Sequence, residues 1–136
     1  MAGTIKRIGS RMRVWDVTLT AATGATTATG TSDDAFSGIV RKVEIDPGTL
    51  TASATLKGYE ANTPLATGTR DHFVDYTVPS PAVELVLYPM VAAKEKDGTA
   101  ADPTQSLSYV VCDNLKLDLA SATAADSVRV RVYVEV

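Results

Sequence analysis

Apolar and polar residues alternate over the last part of the chain. Valine occupies every second position from Val128 to Val136, and leucine alternates with charged residues over residues 115–119. Because successive side chains of a strand point to opposite faces of a sheet, each stretch predicts a β-strand with one apolar face. Small and polar residues fill positions 120–126 between them. The pattern therefore predicts that the two strands form an antiparallel hairpin.

The same period of two recurs through most of the chain. It predicts further strands over residues 12–20, 38–45, 50–59, 65–69, 72–78, 82–88 and 107–112. Residues 82–88 have the apolar content of a central strand. No segment places apolar residues at the i, i+3, i+4 and i+7 spacing of a helix. We therefore predict an all-β fold, an antiparallel β-sandwich or flattened barrel (jelly-roll-like) of about eight strands.

Turn and loop signals separate these strands. Asp46, Pro47 and Gly48 predict a tight turn, because proline presets φ and glycine allows a positive φ. The strand over residues 50–59 should then return along the strand over 38–45. Residues 21–34 are small and polar and predict an exposed loop, with a loose edge strand as the alternative. Residues 92–106 predict a long projecting loop, and residues 113–114 a turn.

Length and charge favour one domain with a basic segment at its start. The chain has 136 residues, 45% of them hydrophobic, and a formal net charge of −3, which argues against a nucleic-acid binder as a whole. Four cations precede the first acid, Asp16, so the rest of the chain carries a formal charge of −7. We interpret residues 1–13 as a basic N-terminal arm and residues 14–136 as a single β-sandwich domain.

The arm is the candidate partner-binding site. Its cations could lie on an acidic surface, and its apolar residues could anchor it there, although a solvated terminus is the alternative. We expect the arm to be mobile alone and ordered on its partner, with the strand pattern beginning at Met12. The predicted contact residues are Ile5, Lys6, Arg7, Ile8, Arg11, Met12 and Arg13.

The chain shows no pattern typical of catalysis. His72 is the single histidine, and the preceding Asp71 would point to the opposite face of a strand. Cys112 is the single cysteine and is predicted to be a buried, inert thiol. One histidine and one cysteine are too few for a zinc site, and phosphate-loop and dinucleotide motifs are missing. We therefore expect no catalytic residues, no metal and no cofactor.

Two further properties bear on location and ligands. Residues 1–20 lack the apolar core of a secretory signal, and no apolar run is long enough to span a membrane. We therefore expect a soluble protein that is made in a reducing cytoplasm and binds no membrane. Trp15 and the five tyrosines could form a sugar-binding platform, but core or rim positions are favoured for them.

Several stretches together resemble the small β-rich virion proteins of tailed bacteriophages, of the head-decoration or minor structural type. They are FSGIV at residues 36–40, DPG at 46–48, VELVLYP at 83–89 and the two terminal strands. The resemblance covers residues 36–136 and implies a non-enzymatic protein, with a capsid decoration protein that reinforces the phage head as the first expectation. It identifies no catalytic residues.

The resemblance also implies a partner and a location. The expected partner is the major capsid protein or another virion surface. Separately, the terminal strand and the small residues from Ala21 to Thr31 predict self-association with further copies of this chain, with a trimer as the expected homo-oligomer. Neither nucleic acid nor membrane is expected as a partner. The expected location is the virion, after synthesis in the bacterial host cytoplasm. Alternatives are a phage tail or head–tail connector subunit, and a carbohydrate-binding or immunoglobulin-like adhesion module.

Overall fold

The computed structural model describes residues 1–64, 71–79, 84–92 and 106–136. Within these ranges the chain forms nine strands and no helix. The strands are β1 (Thr4–Ile8), β2 (Met12–Thr20), β3 (Ala28–Asp46), β4 (Ala54–Glu60), β5 (Val74–Val78), β6 (Leu85–Leu87), β7 (Met90–Ala92), β8 (Ser106–Ala120) and β9 (Ser127–Glu135). Since the described part has no helix, it also has none that could cross a membrane.

The strands form one curled antiparallel sheet. Its main path runs β1-β2-β9-β3-β8-β4-β5, while β6 pairs with β3 and β7 pairs with β8. The N-terminus also contacts β3, because the amide of Thr31 donates to the carbonyl of Met1 at 3.0 Å. The predicted all-β class is thus confirmed, in the form of a half-barrel. The inner face carries the core, which includes Trp15, Phe36 and Leu117.

The central element is β3, which has 19 residues and pairs with strands on both of its sides. Its first part pairs with β8, and its last part, from Ile39 to Asp46, pairs with β9. The register with β8 shifts between Thr31 and Ala35. Ser32 is buried at this shift, where its hydroxyl accepts the Leu115 amide at 2.9 Å and donates to the Asp34 carbonyl at 2.8 Å. These bonds satisfy backbone groups that the irregular ladder leaves unpaired.

The predicted loop over residues 21–34 is therefore wrong in its second half. Strand β3 begins at Ala28, and its small residues fit where the chain is closely packed. A Cβ atom added to Gly30 would lie 2.9 Å from Cδ2 of Leu19. Ala28 is likewise buried. Small side chains here allow close packing in the sheet. Composition alone does not distinguish such a closely packed strand from an exposed loop.

The predicted terminal hairpin is also wrong, although both of its strands exist. Strand β3 lies between β8 and β9, and β9 pairs with β2 and β3. The connecting residues bind other segments, since the Ala122 amide donates to Thr26 O at 2.9 Å. The carboxylate of Asp126 accepts both the amide and the hydroxyl of Thr51 at 3.0 Å. The connection thus crosses β3 instead of forming a tight return.

The turn at residues 46–48 is confirmed, but its consequence differs from the prediction. Gly48 has a φ of 55°, and its amide donates to Oδ1 of Asp46 at 3.0 Å. The following strand, β4, pairs with β5 and β8 and does not return along β3. The first residues after the turn instead contact Ser127 of β9 and Asp126 of the β8–β9 connection.

Two predictions about residues 107–119 are corrected as well. Strand β8 runs without interruption from Ser106 to Ala120, so Asp113 and Asn114 lie within a strand and form no turn. Cys112 is exposed, because Val111 takes the inward position next to it. The predicted strand over residues 65–69, the main part of the predicted 92–106 loop and positions 82–83 lie outside the described residues.

Candidate interaction surface

The predicted basic arm contributes a strand to the sheet. Residues Thr4–Ile8 form β1, which pairs with β2 so that Lys6 lies opposite Val14 and Arg7 opposite Arg13. The strand pattern therefore begins at Thr4 and not at Met12. Met1 contacts β3, because its amino group donates to the Thr29 carbonyl at 3.4 Å.

The seven predicted contact residues occupy different environments. Ile5 packs against the core, Ile8 is half exposed, and Met12 lies opposite Glu135. Arg13 forms an ion pair with Asp34 at 3.5 Å, and its guanidinium carbon lies 4.6 Å from the ring centre of Phe36. Arg7 donates to the Ser10 carbonyl at 3.1 Å. Lys6 and Arg11 are exposed. The fold thus places Arg7 beside Arg13 but does not gather all four cations.

A network of charges covers the outer face of β2, β9 and β3. Arg129 binds Asp16 through two bonds of 2.6 and 2.9 Å, and Arg131 bridges Asp16 at 3.4 Å and Glu44 at 3.3 Å. The hydrogen bond from Arg129 lowers the pKa of Asp16, although partial burial opposes this effect. Lys42 adds an ion pair of 3.0 Å with Glu44. The charged side chains on the outer face of these central strands therefore largely pair with one another.

An open groove of about 240 Å³ lies beside this network. It is lined by residues 44–46 of β3, residues 84–86 next to and in β6, and Arg129 and Arg131 of β9. Both arginines already bind carboxylates, so the groove presents charges of both signs. Ile45, Leu85 and Val86 form the apolar part of the wall, and Val86 is 48% exposed.

Beyond the groove, the outer surface becomes apolar. Every second residue from Glu84 to Met90 is exposed, while those between are partly buried. Tyr88 is 71% exposed, Met90 64% and Val110 66%. Met90 lies opposite Ser108, two residues from Val110 on the same face of β8. We name Val86, Tyr88, Met90 and Val110 the outer patch.

The outer patch holds four of the eight large apolar side chains that are exposed in the described part of the chain. A fifth, Leu107, lies on the opposite face of β8 from Val110 and does not belong to the patch. Exposed apolar side chains that share one face of a sheet are candidates for an interaction site. The charges of Lys42 and Glu44 lie beside it on β3.

Three of the aromatic residues and His72 take positions within the fold. Trp15, Tyr59 and Tyr109 are buried, so they contribute no sugar-binding platform. Burial raises the pKa of Tyr109 to about 12, and its hydroxyl donates to the Asp71 carbonyl at 2.9 Å. The ring of His72 meets the ring of Tyr59 edge-on at 5.7 Å. Across the described ranges, His, Cys, Asp and Glu side chains form no group of three that could hold a metal ion.

The outer patch differs from what the sequence pattern predicts. Residues 82–88 are apolar at both odd and even positions, which predicts a central strand. Strand β6 instead has three residues and pairs with β3. One signal in the sequence does indicate the patch. Val86, Tyr88 and Met90 are apolar at alternate positions, and this alternation continues past Pro89, which cannot donate a ladder hydrogen bond. The sequence matches no protein-family model, and no curated protein matches it.

Proposed function

We propose that this chain is a non-enzymatic virion structural protein, a capsid decoration protein that binds the outside of a bacteriophage head and reinforces its lattice. The observation that carries the proposal is the outer patch. It presents Tyr88 and Val110 at 71% and 66% exposure on a strongly hydrogen-bonded sheet. Water would be released from this apolar surface when it packs against a partner.

The surroundings of the patch also favour a protein partner. Lys42, Glu44 and Arg131 form charged neighbours of the apolar residues. An apolar centre with a polar rim is the usual composition of a protein–protein interface. Because the strands below are held by core residues such as Val43 and Tyr109, the surface is formed before binding. Little conformational entropy would then be lost on attachment.

The basic segment is the alternative attachment surface. Lys6 and Arg11 project from the other end of the sheet path, and Ile8 is 50% exposed there. Either surface could contact the capsid, so the experiment compares them directly. The outer patch is the stronger candidate because its apolar side chains are more numerous and more exposed.

Binding of the purified protein to phage heads that lack it tests the proposal. Replacing Tyr88 and Val110 together by serine should weaken binding at least about tenfold, because large buried side chains dominate interface energies. The matched control is Ile8→Ser, which changes an exposed apolar residue on β1 and should leave binding within about twofold. A larger loss from Ile8→Ser than from the patch variant would assign attachment to the basic segment instead.

The location of the protein on purified virions separates the alternatives. Labelling of the head surface by a specific antibody is expected for a decoration protein. Labelling confined to the tail or to the neck would identify a tail or connector subunit. Absence from virions, together with binding to a glycan array, would replace the proposal by a carbohydrate-binding module.

A further inference from the structure

The two ends of the sheet path are short strands that face no further strand in the described part of the chain. Strand β1 pairs with β2 alone, and β5 pairs with β4 alone. Each has five residues. An edge strand presents unpaired N–H and C=O groups that can hydrogen-bond a strand of another molecule. Such edges are points of assembly unless they are blocked.

The two edges carry opposite charge. Strand β1 contains Lys6 and Arg7, whereas β5 contains Asp75 and follows Asp71. Lys6 and Asp75 are both exposed. Neither belongs to any of the ion pairs among the described residues, which involve Arg13, Arg41, Lys42, Arg129 and Arg131 as their cations. Each edge therefore has a charge available for a partner.

We propose that β1 of one copy of this chain adds to β5 of a second copy, so that the sheet continues from molecule to molecule. Pairing of β1 with β1 would bring lysine and arginine side chains together, and pairing of β5 with β5 would bring Asp75 near its own copy. Like charges on facing strands destabilise a sheet, and opposite charges stabilise it. The charges thus select the unlike pair of edges.

The topology fixes the direction of this pairing. The path holds seven strands, and each neighbouring pair is antiparallel, so its first and last strands, β1 and β5, run in the same direction. A second copy that keeps the same face outward must therefore place β1 parallel to β5. This head-to-tail contact is heterologous, and it forms a ring when the rotation between copies closes.

The alternation of side chains fixes the register. On β1, Ile5 shares the inner face with Trp15, and Lys6 takes the outer face. On β5, Tyr76 lies opposite the buried Leu56, so Asp75 takes the outer face. Placing Lys6 beside Asp75 brings Ile5 beside Val74 and Arg7 beside Tyr76. The register thus combines an ion pair, an apolar pair and a cation–aromatic pair.

A charge exchange tests this pairing by sedimentation velocity at low salt. Lys6→Glu and Asp75→Lys should each weaken self-association about three- to tenfold, since exposed pairs contribute modestly and reversal adds repulsion. The double variant should restore association to within about twofold of the original chain. Lys116→Glu, a charge reversal on the interior strand β8, is the matched control and should have no effect. A chain that is monomeric at every concentration, or a double variant as weak as the single ones, would overturn the proposal.

Disulfide trapping tests the register independently. Adjacent strands lie about 4.8 Å apart, within the Cα separation that a disulfide bridges. In a Cys112→Ser background, mixing Lys6→Cys with Asp75→Cys protein should give a disulfide between the two variants. Links from residue 6 to 6 or from 75 to 75 in place of it would show a two-fold interface and contradict the proposal. Because capsid binding is tested with Tyr88 and Val110, this inference and the proposed function can fail separately.

Discussion

Strand β9 and the segment containing β6 and β7 share an alternating pattern but differ in what faces outward. On β9 the inward valines Val128 to Val134 are fully buried, and the outward Arg129 and Arg131 are bound by carboxylates. On the β6–β7 segment, Leu85 and Leu87 pack against the core. Their outward neighbours Val86, Tyr88 and Met90 are apolar and exposed.

The difference separates a structural strand from a candidate interaction surface. Strand β9 has a neighbour on each side, and its two faces are completed by the core and by the charge network. Strand β6 has three residues and pairs with β3, so it contributes less to the ladder. Its outward apolar residues are exposed to water, which is unfavourable. A partner that covers them would lower the free energy, and this is the basis of the proposed attachment.

The largest expected effect is the difference between placing a carboxylate on the inner face of β9 and placing one on the outer face of β6. Val132→Asp should cost more than about 4 kcal/mol in the free energy of unfolding, because it buries a charge without a partner. Val132 is fully buried between Trp15 and Val43, its cross-strand neighbours. Val86→Asp should change the free energy of unfolding by about 0.5 kcal/mol or less. Guanidinium unfolding followed by circular dichroism measures both, and similar losses would contradict the contrast.

A smaller effect is expected from the charge network over β9. Asp16→Asn should remove about 1 kcal/mol at pH 7, since the pairs are partly exposed. The folded pKa of Asp16 lies below its ordinary value of 3.8, mainly through the Arg129 hydrogen bond. The ionised group therefore stabilises the fold above about pH 4, and this contribution is lost as pH falls through the folded pKa.

Denaturant unfolding at several pH values tests this expectation. The difference between the original chain and Asp16→Asn should narrow below about pH 4. Asp33→Asn is the matched control, because Asp33 is an exposed acid that belongs to none of the ion pairs in the described part. A constant difference across the pH range would show that the ionised Asp16 contributes nothing specific.

The smallest expected effect is that of modifying the Cys112 thiol, whose reactivity reports on whether the outer patch is covered. Cys112 is exposed and lies two residues from Val110 on the same face of β8. We expect a thiol reagent to modify it in the native protein without loss of stability. Bound phage heads should slow this reaction if they cover the patch. A thiol that reacts only in denaturant would contradict the exposed position.

The sequence pattern predicts most of the strands but few of the pairings between them. The strand over residues 12–20 was predicted with its observed bounds, and so was the turn at residues 46–48. The strand β1 was missed, because Lys6 and Arg7 interrupt any apolar alternation in residues 4–8. The outer patch was missed because an apolar run looks the same whether both faces are buried or one is exposed. The proposed contact residues of the basic segment stay a prediction.

Alternation by itself determined the all-β class and the inward positions of Val130, Leu117 and Trp15. It did so because the period of two is a property of each strand alone. Pairing was decided only in the tertiary structure, where the 19-residue β3 separates β8 from β9. Any two strands with an apolar face satisfy the same pattern, so their order depends on which arrangement closes the core and pairs the backbone. The exposed position of Cys112 and the exposed apolar face of the β6–β7 segment follow from that order and not from local sequence.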